Sequence, residues 1–110
     1  MTGKILGKID FAEFGTIRDY PFLMGLQLGF KLADGCYVMD GGKYCVNVSP
    51  ECKWEYEGKR EECITKMVDH VASVIKDAGV NNVSGLVGKP VEVTIDRNTF
   101  VDFRILKEVL

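Results

Sequence analysis

The sequence predicts an α+β domain in which one antiparallel sheet packs against one long helix, with the elements in the order β-β-β-β-α-β-β. Three observations predict this fold class. Apolar side chains alternate with small or polar ones through FLMGLQLGFKL, Phe22–Leu32. Apolar residues recur at helical spacing from Cys63 to Ala78, and two alternating segments near the C-terminus flank Asp96–Asn98. A sheet covered by one helix is the simplest packing of these elements into a single domain over residues 1–110.

The first strand is expected over Lys4–Phe14, with Ile5, Ile9 and Phe11 on one side. A turn is expected over Gly15–Pro21, because glycine, aspartate and proline are typical turn residues.

The second strand, Phe22–Leu32, is the clearest element in the sequence. Its core-facing side carries six apolar residues at period two: Phe22, Met24, Leu26, Leu28, Phe30 and Leu32. The alternate side is small and polar at Gly25, Gln27 and Gly29. Strand glycines mark close approach of a backbone or a ligand, or a bend in the sheet, and the pattern favours the bend.

Two short strands follow, Cys36–Met39 and Lys43–Val48, between the turn signals Asp34-Gly35 and Asp40-Gly41-Gly42. We interpret the first four strands as an antiparallel meander.

The helix is predicted over Tyr56–Ala78. Its apolar stripe consists of Cys63, Met67, Val71, Val74, Ile75 and Ala78. The acidic residues at its start favour the positive end of the helix dipole: Glu55, Glu57, Glu61 and Glu62. Gly79 ends the helix, with Val80 folding back on the last turn.

A tight helical turn over Ser84–Leu86 leads into the closing hairpin. A three-residue loop at Asp96–Asn98 would pair the flanking strands as Ile95 with Thr99, Val93 with Val101, and Val91 with Phe103.

Charge and hydropathy restrict the class of partner. The net charge is -2, from 14 basic and 16 acidic residues of mixed sign, which argues against non-specific nucleic-acid binding. The sequence contains no apolar run long enough to cross a membrane, and its first residues lack the apolar region of a secretory signal. We therefore expect a cytosolic protein.

Four cysteines, Cys36, Cys45, Cys52 and Cys63, and the single histidine, His70, are the candidate metal ligands. Their spacings match no common zinc pattern. We interpret the cysteines as reduced, mostly packed thiols without a metal ion.

Catalytic candidates are few, and the sequence predicts neither an enzyme nor a cofactor. Asp69 and His70 are adjacent on a helix and point about 100° apart. Cys63 and His70 share a helix face, but two turns separate them by about 10 Å, too far for direct proton transfer.

Binding is the more plausible chemistry, and it concentrates in the segment from Cys36 to Arg60. This segment combines aromatic side chains, cations and a glycine-rich loop, which can hold a protein partner or a nucleotide-like ligand. The alternative is that Trp54 covers the core at the helix start while the tyrosines lie across the sheet. The candidate binding residues are Tyr37, Asp40, Lys43, Tyr44, Trp54 and Arg60.

The chain resembles a group of small uncharacterised proteins encoded by bacteriophages and prophages. The resemblance rests mainly on the closing segment GKPVEVTIDRNTFVDFRILKEVL, and also on GLQLGFKLADG, CKW and KDAGV. The chain departs from that pattern at CKWEYEGKR, where a Thr-led cap and acidic residues are expected.

This resemblance implies a phage protein with an accessory role in the cytoplasm of a bacterial host. Phage proteins of this size often bind host defence proteins, or sequester the nucleotide signals that activate them, and a homo-oligomer is compatible with either role. We therefore expect a non-catalytic antagonist of a host system. The alternatives are a thiol- or metal-dependent hydrolase acting on such a signal, and a structural or replication-associated phage component.

Overall fold

A computed structural model describes residues 2–110 and confirms the α+β class and the predicted order of elements. The strands are β1 (Gly3–Ile17), β2 (Tyr20–Leu32), β3 (Tyr37–Met39), β4 (Cys45–Asn47), β5 (Pro90–Asp96) and β6 (Thr99–Ile105). The helix α1 (Lys59–Ala78) lies between β4 and β5 in the chain, and short 3-10 turns occupy Val83–Leu86 and Lys107–Val109. All six strands form one antiparallel sheet in the order β3-β2-β1-β5-β6, with β4 also paired to β2. No helix within the described residues is long and apolar enough to cross a membrane.

The β1–β2 hairpin is longer than predicted. The predicted turn segment Gly15–Pro21 does contain the turn, but only Arg18 and Asp19 form it, because the strands continue to Ile17 and resume at Tyr20. Backbone pairing extends the strands into the rest of the segment: Gly15 pairs with Gly25, and Ile17 pairs with Tyr20.

A β-bulge at Asp10 changes which β1 residues face the core. Ile9 pairs with Phe30, whereas Phe11 pairs with Gly29 on the opposite face. The prediction that Phe11 lies on the same side as Ile9 is therefore wrong, because one extra residue reverses the alternation.

The sheet curls around the core, so that β3 and β6, at opposite ends of the strand order, approach each other. Val38 of β3 lines the same small cleft as Ile95 of β5. The inner face, which meets α1, carries the buried residues Ile9, Leu26, Leu28, Phe30, Leu32, Val91, Val93, Ile95, Phe100 and Ile105. Of the six β2 residues predicted to face the core, Phe22 is exposed and Met24 half-buried.

The predicted meander is wrong at β3 and β4, which do not pair with each other. β3 pairs with Gly29–Lys31 and β4 with Leu23–Gly25 of the same strand, both antiparallel. They are two halves of one interrupted edge strand, and the Asp40-Gly41-Gly42 loop is inset between them.

The helix begins at Lys59, three residues later than predicted, because Gly58 takes a left-handed conformation with φ 93°. Its end is as predicted: Gly79 is left-handed, and the Val80 N–H donates to the Ile75 carbonyl 3.2 Å away. Met67, Val74 and Ala78 are the buried residues of the stripe.

The closing hairpin has a different register from the one predicted. Arg97 and Asn98 both have positive φ, which makes a two-residue turn rather than a three-residue loop. Asp96 pairs with Thr99, and Val93 pairs with Phe103 because an irregularity follows Thr94. The predicted pairs of Ile95 with Thr99, Val93 with Val101 and Val91 with Phe103 are therefore wrong.

Candidate functional site

The six residues proposed for binding lie in three different places. Asp40, Lys43 and Tyr44 lie in the inset loop or directly after it. Trp54 and Arg60 lie at the start of α1. Tyr37 lies on the side of β3 that faces away from the core. The sequence segment that contains them does not form one continuous site.

Asp40 closes the gap between β3 and β4. The Leu28 N–H donates to Asp40 Oδ2 at 2.9 Å, and the Gly42 N–H donates to Oδ1 at 3.1 Å. The backbone of Asp40 also bonds the Leu28 carbonyl. Burial raises the pKa of this carboxyl, although its two backbone donors act in the opposite direction. Asp40 therefore has a structural part in the edge of the sheet.

Lys43 and Tyr44 close the seam between the inset loop and β6. The Lys43 ammonium donates to the Val101 carbonyl and lies 5.8 Å from the centre of the Phe100 ring. The Tyr44 ring stacks on His70 of α1 with 4.3 Å between centroids. Burial raises the pKa of the Tyr44 hydroxyl, so that it stays protonated at neutral pH.

His70 is a half-buried ring within this aromatic cluster. Burial lowers its pKa, and Asp102 and Asp40 oppose that shift. Its Nδ1 is buried and has no hydrogen-bond partner within residues 2–110. The sequence gives no signal of the stack of His70 on Tyr44, because the two residues belong to different elements.

A cavity of about 250 Å³ lies between α1 and β4. Its lining consists of Lys43, Tyr44, Cys45, Val46, Cys63, Lys66, Met67 and His70. Burial raises the pKa of the Cys45 thiol, which makes it a weaker nucleophile at neutral pH. These features do not favour thiol catalysis.

The four cysteines are free, and Cys36 is exposed rather than packed. Across the described part of the chain, no three His, Cys, Asp or Glu side chains are grouped closely enough to hold a metal ion.

Trp54 and Arg60 line a shallow depression at the start of α1. Trp54 is half-buried, and its Nε1 is buried without an acceptor in the described part of the chain. Nearby, Lys59 pairs with Glu55 at 2.9 Å, and the Tyr56 hydroxyl donates to Glu62 at 2.6 Å. The charged residues that line the depression itself, Glu57, Arg60 and Glu61, have no ion-pair partner within residues 2–110.

Tyr37 belongs to a separate surface, here called the outer face, which is the side of the sheet opposite α1. It is defined by Lys8, Phe11, Gly29, Lys31, Tyr37 and Met39. Tyr37 is 50% exposed, and a Cβ added at Gly29 would lie 2.8 Å from its Cζ atom, so the ring rests directly over that glycine. Burial, and then the charge of Asp10, raise the pKa of Tyr37.

The strand glycines thus mark close approach more than the bend that the sequence favoured. A Cβ at Gly25 would lie 2.8 Å from Cys45 Cα of the neighbouring strand. At Gly29 the absent side chain makes room for Tyr37.

Two depressions are lined in part by outer-face neighbours of Tyr37, although Tyr37 itself lines neither. One, of about 320 Å³, lies beside Met39 and the inset loop. The other, of about 570 Å³, contains Lys8 and Lys31, which are directly opposite each other on β1 and β2. These lysines were not selected from the sequence, because they are far apart in the chain and are brought opposite each other by the β1–β2 register, which the bulge at Asp10 shifts by one residue.

No family model, curated protein or solved structure matches the chain.

Proposed function

We propose that this is a non-catalytic binding protein that holds a nucleotide-class ligand on the outer face. A base stacks on Tyr37, and a phosphate group lies near Lys8 and Lys31. The observation that carries the proposal is an exposed tyrosine lying over a strand glycine, next to two lysines opposite each other on neighbouring strands.

The strand order supports the choice of face. With β3 and β4 counted as one interrupted strand, the chain has five strands, in the spatial order third, second, first, fourth, fifth, and a helix between the third and the fourth. Five-stranded OB barrels have this order, and they bind oligonucleotides and oligosaccharides on the face of their second and third strands. The correspondence is one of topology, so it favours a surface and leaves the ligand to be argued from chemistry.

The aromatic chemistry supports a base as one part of the ligand. Tyr37 presents half of its surface to solvent, and Met39 beside it is 44% exposed. The hydroxyl end of the Tyr37 side chain lies over Gly29, where a larger residue would displace it. A base stacked on an aromatic ring contributes about 1–3 kcal/mol to binding, whatever the base.

The lysines support a phosphate as the other part. Lys8 and Lys31 are exposed and directly paired across β1 and β2, an arrangement in which like charges repel. Neither has an ion-pair partner within residues 2–110. A phosphate between them would remove the repulsion, whereas a neutral sugar would not.

From the resemblance to phage proteins we infer that this binding occurs in a bacterial host and antagonises a defence system. A nucleotide-derived signal and a single-stranded oligonucleotide present the same base and phosphate chemistry. The net charge of -2 favours a small or short ligand over duplex DNA, which a basic field attracts.

The test begins with native mass spectrometry of protein isolated from bacteria, followed by calorimetry with cyclic dinucleotides, ADP-ribose and short single-stranded DNA. Binding to the first two alone identifies a signal, and binding to DNA alone identifies an oligonucleotide. We expect Tyr37→Ala to weaken binding about 5- to 150-fold, which corresponds to one lost stacking contact. Removing both lysines as Lys8→Gln and Lys31→Gln should also reduce the salt dependence of binding.

Tyr56→Ala is the matched control, because Tyr56 is also 50% exposed but lies at the start of α1. Loss of binding in this variant, with Tyr37→Ala unaffected, would assign the ligand to the Trp54 depression instead. Absence of binding in every arm would refute the proposal, as would conversion of many ligand molecules per protein, which is the outcome that the hydrolase alternative predicts.

A further inference from the structure

We propose that two copies of the chain pair through the free edge of β1, centred on Phe14 of each copy. β5 covers one side of β1 only from Gly3 to Lys8, and the Lys89 carbonyl and Gly88 N–H bond Ile9 next to it. From Asp10 to Ile17 that side of β1 has no strand neighbour within residues 2–110. The occupant inferred for this edge is a second copy of this segment.

The open edge of β1 is long enough to pair with another strand, and its backbone N–H and C=O groups point in the direction that pairing requires. Ile9 faces the core and uses its N–H and C=O on the β5 side. After the bulge, Ala12 and Phe14 are the core-facing residues, as their partners Leu28 and Leu26 indicate. Residues on one face of a strand direct their backbone groups to the same side, so Ala12 and Phe14 direct theirs to the open edge.

A twofold axis perpendicular to the sheet puts the inner faces of the two copies on the same side of the joined sheet. Two residues can therefore be paired across the axis only if both belong to the inner face or both belong to the outer face. Two antiparallel registers pair at least seven residues of this edge. One centres on Glu13 and places two carboxylates opposite each other, which is unfavourable. The other centres on Phe14 and places Glu13 opposite Gly15, and Phe11 opposite Ile17.

The Phe14 register also uses an exposed apolar side chain. Phe14 is 42% exposed although it lies on the inner face, because the core does not reach this part of the hairpin. In the dimer the two Phe14 rings become a directly opposed aromatic pair, which is a stabilising cross-strand combination. The tip of the partner's hairpin, at Arg18–Asp19, would reach the point where β5 begins, so its strand would fill the gap.

The arrangement would join the two outer faces on one side of a continuous sheet. It is independent of the proposed function, since it depends on neither Tyr37 nor the lysines. A host protein could pair with the same edge of β1, but it would not reproduce the symmetric register.

Analytical ultracentrifugation of the full chain, up to about 0.1 mM, tests for the dimer, because a dimer with micromolar Kd is nearly complete there. Phe14→Lys would place two ammonium groups opposite each other, and we expect it to weaken the dimer about tenfold or more. Glu13→Lys is the matched control. This substitution changes the net charge by more than Phe14→Lys does, but residue 13 is opposite Gly15 of the partner copy, so we expect the dimer to persist. Circular dichroism checks that both variants remain folded.

A cysteine pair tests the register itself. In the Phe14→Cys variant, the two Cα atoms would lie about 5.5 Å apart, within the range of a disulfide. In Glu13→Cys they would lie about 8 Å apart, outside it. Mild oxidation should therefore form a disulfide between the two introduced cysteines only in the Phe14→Cys variant, and peptide mass distinguishes it from any disulfide through the exposed Cys36. A protein that stays monomeric, or a dimer unaffected by Phe14→Lys, would overturn the proposal.

Discussion

The carboxylate of Asp40 joins the two halves of an interrupted edge strand, so its removal should destabilise the fold. Its Oδ2 accepts from the fully buried Leu28 N–H at 2.9 Å, and its Oδ1 accepts from the Gly42 N–H at 3.1 Å. A buried N–H left without an acceptor costs about 1–3 kcal/mol, and a less buried hydrogen bond contributes about 0.5–1.5 kcal/mol. We therefore expect Asp40→Ala to lower the free energy of unfolding by about 1.5–4.5 kcal/mol.

Urea unfolding at neutral pH, followed by circular dichroism and by the fluorescence of Trp54, measures this loss. Asp34→Ala is the control, because Asp34 accepts a similar backbone bond from Cys36 at 2.9 Å at an exposed position. That variant should lose no more than about 1 kcal/mol. If the two variants lose the same free energy, burial of the Leu28 N–H is not what makes Asp40 important, and the reasoning fails.

Two further predictions concern β4 and α1. Gly25→Ala would place a Cβ 2.8 Å from Cys45 Cα and should cost about 1–3 kcal/mol in urea unfolding. Gly15→Ala meets open space and should change stability by less than about 0.5 kcal/mol, so equal losses would contradict the packing argument. Burial lowers the pKa of His70 below its usual 6.5, so the stability that its neutral ring contributes is present above that pH and lost as pH falls through the lowered value. Wild type should therefore lose stability relative to His70→Gln between about pH 7 and pH 5, and identical pH profiles would contradict this assignment.

Local periodicity predicted the elements that bury one face. The alternation of β2 and the stripe of α1 were readable because each depends only on residues close in the chain. Gly79 was predictable as the helix end for the same reason, since the left-handed conformation there favours glycine.

The pairing of residues that are distant in the chain could not be predicted from local periodicity. The bulge at Asp10 and the irregularity after Thr94 each add a residue to one strand, and neither leaves a distinct pattern in the sequence. A shift of one residue exchanges the faces of a strand, so Phe11 and the register of the closing hairpin were assigned wrongly. The turn at Arg97–Asn98 also lacks the glycine that usually marks a two-residue turn.

The candidate site was only partly predictable. Tyr37 was selected because it lies close in the chain to other aromatic residues, yet in the fold it is separated from Trp54. Lys8 and Lys31 are far apart in the chain and become neighbours only through the β1–β2 register. The alternation of β2 had already placed Gly29 opposite the core, which was the one local signal for the outer face.

The pairing of β1 with β5 has a consequence for how the chain is made. Gly3 lies opposite Ile95, so the central strand obtains its second neighbour only after Pro90–Asp96 has been synthesised. Until then the side of β1 that pairs with β5 has no hydrogen-bonding partner on the nascent polypeptide. Contacts between residues so distant in the chain also slow folding. A ribosome that stalls before Pro90 would release a hairpin ready to associate with other incomplete chains.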